Sequence, residues 1–171
     1  MIILDTNIIS DRMKTNPSEN VIAWLEQQNI SELLKKTRVE VSPETYFIVS
    51  LRDEDFRRLL ENPELSPRMT APFMIFKDKW EVTLILDETD YKTCRHAMRE
   101  AKFEGGFRLL SFNLVMDFNV VGFLAEVSRI LAESNISIFA VSAFSRDHLL
   151  IKQDDLAKAL KVLGEYVEEL C

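Results

Sequence analysis

The chain of 171 residues is 47% hydrophobic and 29% charged, the composition of a globular protein with a core of its own rather than a disordered one. A net charge of −7 argues against a general binder of nucleic acid or anionic membrane, because neutralising phosphates takes a basic surface. Cys94 and Cys171 have no metal-ligand spacing and fit reduced thiols better than a disulfide framework, and no apolar run approaches a membrane span.

In chain order, Ile2 to Leu4 form a short apolar strand ending at Asp5, and Pro17 and Ser18 open a helix with Val21, Ile22, Trp24 and Leu25 on its apolar face. MIILDTN lacks the charged flank and cleavage pattern of a signal peptide, so a cytoplasmic location is expected. MIILDTNIISDRM followed by NPSENVIAWLEQQ resembles the start of PIN-domain ribonucleases of toxin/antitoxin pairs. The resemblance implies Asp5 as the first metal-binding acid of that family. One carboxylate cannot hold Mg²⁺ and activate water, and no further PIN motif follows, so no metal site and no cofactor are expected.

Ile30 to Lys36 continue as a short helix, and Val39 to Val41 read as an edge strand stopped by Pro43. The body then shows one order twice. Thr45 to Leu51 is strand-like, Asp53 to Leu60 helical, Ala71 to Phe76 and Trp80 to Leu86 are strands across a KDK turn, and Thr89 to Lys102 is a helix closed by Gly105 and Gly106. Asp53, Glu54 and Asp55 read as a solvated helix start. Cys94 reads as a small core hydrophobe, and Trp24 and Trp80 as core or interface anchors.

The second pass runs Phe107 to Asp117, Val120 to Ser134, Ile136 to Phe144, His148 to Lys152 and Asp154 to Glu169, again strand, helix, strand, strand, helix. Val121, Leu124, Val127, Ile130 and Leu131 recur at helical steps, and Asn135 closes that helix. Asp117 stands at the strand-to-helix turn, where an acid can cap the helix, and Gly122 leaves room for a backbone or a small ligand. An ordinary cap and a helix-packing glycine serve the same residues. His148 reads either as a ligand contact or as a half-exposed strand residue. In the final helix, Leu156, Leu160, Leu163 and Val167 point inward.

DFNVVGFLAEVSRILAESNISIFAVSAFSRDHLLIKQDDLAKAL closely resembles ACT domains, small βαββαβ modules that bind amino acids and regulate metabolic enzymes. The acid at Asp117, Gly122, ISIFAVS and RDHLLIKQDDL are similar to free-standing tandem ACT proteins related to CASTOR-type arginine sensors, over residues of about 38 to 163. The resemblance implies an α+β fold of tandem ferredoxin-like modules, antiparallel sheets with helices on one face. Its pieces are a PIN-like fragment at 1–36, a degenerate module at 37–106 and a full module at 107–171.

By the same resemblance, Asp117, Phe118, Asn119, Val120, Val121 and Gly122 hold the ligand, with Ile138, Ser142, Ala143 and Phe144 as the facing wall. The last three replace the Ser-Thr-Tyr common in relatives, so two hydroxyls are missing. The implied function is non-enzymatic: a small-molecule amino acid is bound, and the signal passes through a homo-oligomer, a dimer, or a regulated protein partner, with neither nucleic acid nor membrane involved. A metal-dependent PIN ribonuclease and a module that only dimerises are the alternatives.

Overall fold

A computed structural model describes residues 30–68, 70–115 and 120–171. The PIN-like stretch with Asp5 and Trp24 lies outside the described residues, as do Asp117, Phe118 and Asn119 of the expected site. The chain divides into two compact units, one from Pro43 to Arg108, the other from the chain up to Ser42 together with Leu109–Cys171. The three sequence pieces are divided differently from these two units. The short helix α1 (Ile30–Leu34) and strand β1 (Arg38–Val41) belong with the second pass.

The Pro43–Arg108 unit runs β2 (Tyr46–Leu51), α2 (Asp53–Leu60), a 3₁₀ turn at Pro63–Leu65, β3 (Met74–Lys77), β4 (Val82–Asp87), α3 (Glu88–Cys94) and the first part of β5 (Lys102–Phe112). This is βαββαβ, with antiparallel strand order β3-β4-β2-β5. Val49, Leu51, Val82, Leu84 and Leu86 meet Leu59, Tyr91 and Cys94 from the helices in one core. Alternation along β2 and β4 sets these residues on one face, and their burial drives the packing.

Several expectations within this unit are corrected. Gly105 and Gly106 do not end a helix; they lie inside β5. Between the pairs Tyr46↔Phe107 and Ile48↔Glu104 the register slips by one residue, so the two glycines form a β-bulge opposite Phe47, with Gly106 at φ +76°. Helix α3 stops at Cys94 rather than Lys102. Ala97 N–H to Cys94 O and Met98 N–H to Arg95 O, both i to i−3, continue it as turns. Met98 is still buried, so the apolar spacing persists although the helix does not. Asp55 is fully buried rather than solvated: its Oδ1 accepts from Arg58 Nη1 at 2.6 Å, and Arg52 Nε stands 3.8 Å from Oδ2. Trp80 is 78% exposed and anchors no core of this chain.

The other unit carries α4 (Phe123–Glu133), β6 (Ile138–Ser142), β7 (Asp147–Lys152), α5 (Leu156–Leu163) and β8 (Glu169–Leu170) besides α1 and β1. Its strands run β6-β7-β5-β1-β8. β1 is therefore not an edge: it pairs antiparallel with β5 through Val39↔Phe112 and parallel with β8 through Val39↔Leu170. Leu110, Phe112, Leu149 and Ile151 form the sheet side of a core closed by Phe123, Val127, Ile130, Leu131 and Leu163. Ile30 and Leu34 of α1 join that core, so α1 is part of the unit's body.

Asn135 ends α4 as its sequence suggests. It sits at φ 55°, with its N–H on Ala132 O at 2.8 Å and the Ile136 N–H on Leu131 O at 3.1 Å, the paired bonds of a left-handed helix stop. The final helix is shorter than its apolar spacing suggests. A 3₁₀ turn at Gln153–Asp155 precedes α5, and after Leu163 the chain passes through turns into β8. Leu163 and Ala159 are fully buried, while Leu156, Leu160 and Val167 pack partly against the core.

Candidate ligand-binding turn

Strand β5 ends at Phe112 and α4 begins at Phe123, on either side of the expected ligand residues. Asn113 follows the last residue of β5; its N–H bonds Arg38 O at 2.7 Å, which ties the strand end to β1. Leu114 and Val120, on either side of the expected site residues, pack partly against the unit's core. The N-cap of α4 is Gly122 rather than Asp117, and it lies in the left-handed region at φ 94°, ψ −5°. Side chains rarely adopt that conformation without strain, which accounts for glycine there.

Gly122 has no side chain with which to cap, and the first bond of the helix is Glu126 N–H to Gly122 O at 2.9 Å. The amides at the start of any α-helix lack partners within the helix and favour an anion nearby. Of the described positions expected to hold a ligand, Val120 and Val121 are half-buried and Gly122 is buried. They are consecutive and meet at the start of α4.

The expected facing wall runs along β6 and into the hairpin turn after it. Ile138 opens β6, paired with Ile151 and packed against the core, whereas Ser142 closes the same strand, paired with Asp147. Four residues of strand separate them by about 13 Å. Ser142 Oγ donates to Asp147 Oδ1 at 2.7 Å, and Ala143 N–H bonds Arg146 O at 2.9 Å across the hairpin turn. Ala143 and Phe144 are exposed on that turn, Phe144 by 82%.

Around Asn113 the structure brings together residues that the sequence did not single out. Asn113 Nδ2 donates to Glu40 Oε2 at 3.3 Å, and Arg146 Nε donates to Asn113 Oδ1 at 3.2 Å. His148 on β7 stands beside them, its Nδ1 2.9 Å from Ser111 Oγ. Burial pushes His148 below its ordinary value and Asp147 above its own. Only strand pairing brings these positions together, and no local signal announces it. Among the described residues, no group of His, Cys, Asp and Glu is arranged to hold a metal ion, and no helix is long and apolar enough to cross a membrane.

The Pro43–Arg108 unit has its own polar cluster. Asp87 caps α3 by accepting from Thr89 N at 2.6 Å and Asp90 N at 3.0 Å. Arg68 donates from Nε to Asp90 Oδ1 at 2.7 Å and approaches Asp87 at 3.4 Å. Both carboxylates are buried, and Arg68 fastens the proline-rich segment before β3 onto α3. This cluster is structural. Cys94 lies in the core as its sequence suggests, its thiol on Leu65 O at 3.0 Å and pushed up to about 11 by burial, which makes it a poor nucleophile.

Residues 102–165 match the family model of the ACT domain, a span that contains the turn, α4, β6, β7 and α5. Among solved structures, a protein from Agrobacterium tumefaciens is 20% identical with a TM-score of 0.62, over 80% of this chain and 92% of its own. A Vibrio cholerae protein of unknown function, described as a possible transport protein, is 21% identical with a TM-score of 0.59, over 81% and 96%. The regulatory subunit of aspartate kinase from Thermus thermophilus, in its ligand-free form, is 14% identical with a TM-score of 0.59, over 76% and 96%. Among curated proteins, no sequence matches this chain. The fold is α+β, of the ferredoxin-like βαββαβ kind found in ACT domains.

Proposed function

We propose that this chain is a non-enzymatic regulatory protein that binds a small amino acid at the turn before α4 and passes the signal through a protein contact, in a homodimer or to a regulated partner. The observation that carries the reading is the ACT-domain match across residues 102–165, which spans the whole turn and the elements on either side of it. Gly122 supports it: a left-handed glycine at the helix start keeps side-chain atoms away from the leading amides of α4. Those amides suit the ligand's α-carboxylate, and the side chain of Asp117 suits its α-ammonium. Val120 and Val121 supply apolar walls that strengthen both polar contacts by excluding water.

The likeness to the aspartate kinase regulatory subunit points the same way. A thermal-shift panel of the amino acids tests the reading, since a ligand that binds only the native state raises its melting temperature. At least one amino acid is expected to do so in a dose-dependent way. A panel in which none does would favour a module that only dimerises.

A further inference from the structure

We infer that Arg146 selects the ligand by its side chain, and that the preferred ligand is an amino acid with an acidic side chain rather than a neutral or basic one. The inference rests on the placement of the amino-acid site before α4 and names the class of ligand that site takes.

Arg146 belongs to the hairpin turn between β6 and β7. Its carbonyl accepts from Ala143 N–H at 2.9 Å, so it shares the turn with Ala143 and Phe144, two residues of the expected facing wall. Its guanidinium reaches away from the hairpin to Asn113, with Nε donating to Oδ1 at 3.2 Å. Asn113 directly follows β5, the strand that precedes the expected ligand residues in the sequence. One hydrogen bond therefore joins the hairpin of the expected wall to the strand end on the side of the expected ligand residues.

The two charges of this hairpin are used differently. Asp147 is half-buried and accepts from Ser142 Oγ at 2.7 Å, so its carboxylate is held within the strand pair. Arg146 meets no carboxylate among the described residues; besides Asn113, its Nη1 contacts Ser145 Oγ at 3.4 Å, beyond the usual hydrogen-bond range. A guanidinium carries five N–H donors in a planar fork that matches a carboxylate. The bond to Asn113 uses one of them and fixes the group, so a ligand has less of it to order on binding. Glu40 Oε2 accepts from the Nδ2 end of the same amide at 3.3 Å. Asn113 thus stands between Glu40 and Arg146, and Glu40, being exposed, is screened more by water and salt than the half-buried Arg146.

The leading amides of α4 already suit the α-carboxylate, which leaves for Arg146 an anion on the ligand's side chain. A side-chain carboxylate gains a charge-assisted partner there, a neutral amide gains an ordinary hydrogen bond, and an ammonium or guanidinium meets like charge. Calorimetric titration of the full chain with glutamate, aspartate, glutamine and arginine tests this. In the wild type, glutamate or aspartate is expected to bind at least about tenfold more tightly than glutamine, and arginine more weakly still. Arg146→Gln is expected to bring the acids to within about threefold of glutamine, while Arg146→Lys, which keeps the charge, retains most of the preference. Circular dichroism verifies the fold, and should Arg146→Gln be misfolded, Arg146→Met takes its place. Glutamine or arginine bound as tightly as the acids would overturn the inference and leave an amino-acid site standing. An acid preference that survives Arg146→Gln would overturn it equally, by placing the partner of the side-chain anion elsewhere. Only a panel in which no amino acid binds would overturn both readings together.

Discussion

Replacing Gly105 by alanine adds one methyl group to the bulge of β5, where the room for it is measurable. A Cβ built on that residue stands 2.7 Å from Phe47 Cδ1 and closer still to Cε1, inside any contact real atoms tolerate. The ring cannot simply swing away. It is stacked on Tyr91 at a centroid separation of 4.1 Å and 6° between planes, and Phe103 leans against Tyr91 at 5.2 Å. Overpacking of this kind costs about 1–3 kcal/mol, and a ring pair pushed apart forfeits up to about 1.5 kcal/mol more.

Gly105→Ala is therefore expected to destabilise the protein by about 2–3 kcal/mol in urea unfolding, as a shift of midpoint at unchanged slope. The cause is separated from other effects by repeating the substitution in a Phe47→Leu background, where the flat ring is gone and the penalty should fall by about half or more. A Gly105→Ala protein within about 0.5 kcal/mol of the wild type, or an equal penalty in both backgrounds, would refute the packing derived for this unit.

Further outcomes follow from the remaining polar groups. Asp87→Ala removes the side-chain cap of α3 and the second partner of Arg68, with an expected loss of about 1–2 kcal/mol in the same unfolding assay. The folded His148 holds its proton less tightly than the ordinary value of 6.5, so the native state binds fewer protons than the unfolded chain just below that pH. Stability is accordingly lost as pH falls through this window, and His148→Gln, which keeps a partner for Ser111, should lose less, as melting temperatures against pH will show. Arg146 and Asp147 act on His148 in opposite senses, and Asp147, raised by its own burial, adds a contribution of the other sign at lower pH. The purified chain is expected not to cleave RNA with Mg²⁺ or Mn²⁺ present, because Asp5 has no companion carboxylates in a PIN pattern. Cleavage abolished by Asp5→Asn would restore the ribonuclease reading.

The order of elements was legible because it is written locally. The step from period two to period three or four after β5 announces α4, and Asn135 stops that helix by the same left-handed geometry that its residue type suggests. Pairing over long separation was not legible. Nothing near Val39 says that it will lie beside Phe112, so β1 read as an edge. Gly105 and Gly106 look like a helix stop because glycine serves both there and in a bulge, and only the pairing with β2 decides. Asp55 looks solvated in its acidic run, yet one oxygen is held by Arg58 in a buried place, a feature of the tertiary fold rather than of the run.

At the proposed site, the sequence indicated a helix after the acid and missed its cap. Gly122 caps because the helix begins at Phe123, several residues beyond the acid expected to do so. Ile138 and Ser142, grouped from a family pattern, stand at the two ends of β6. The group of Asn113, Glu40 and Arg146 comes from three separate segments and had no signal to find.

Calorimetric titration tests the central claim most directly, using the full chain and whichever amino acid gives the largest thermal shift, with wild type compared against Asp117→Ala. If the turn before α4 holds the ligand through its α-ammonium and α-carboxylate, the wild type binds one ligand per site. The variant, checked to be folded, then binds about tenfold more weakly or worse. Equal affinity in the two proteins would contradict the placement of the site at this turn, and the absence of binding heat for every amino acid would contradict amino-acid regulation itself.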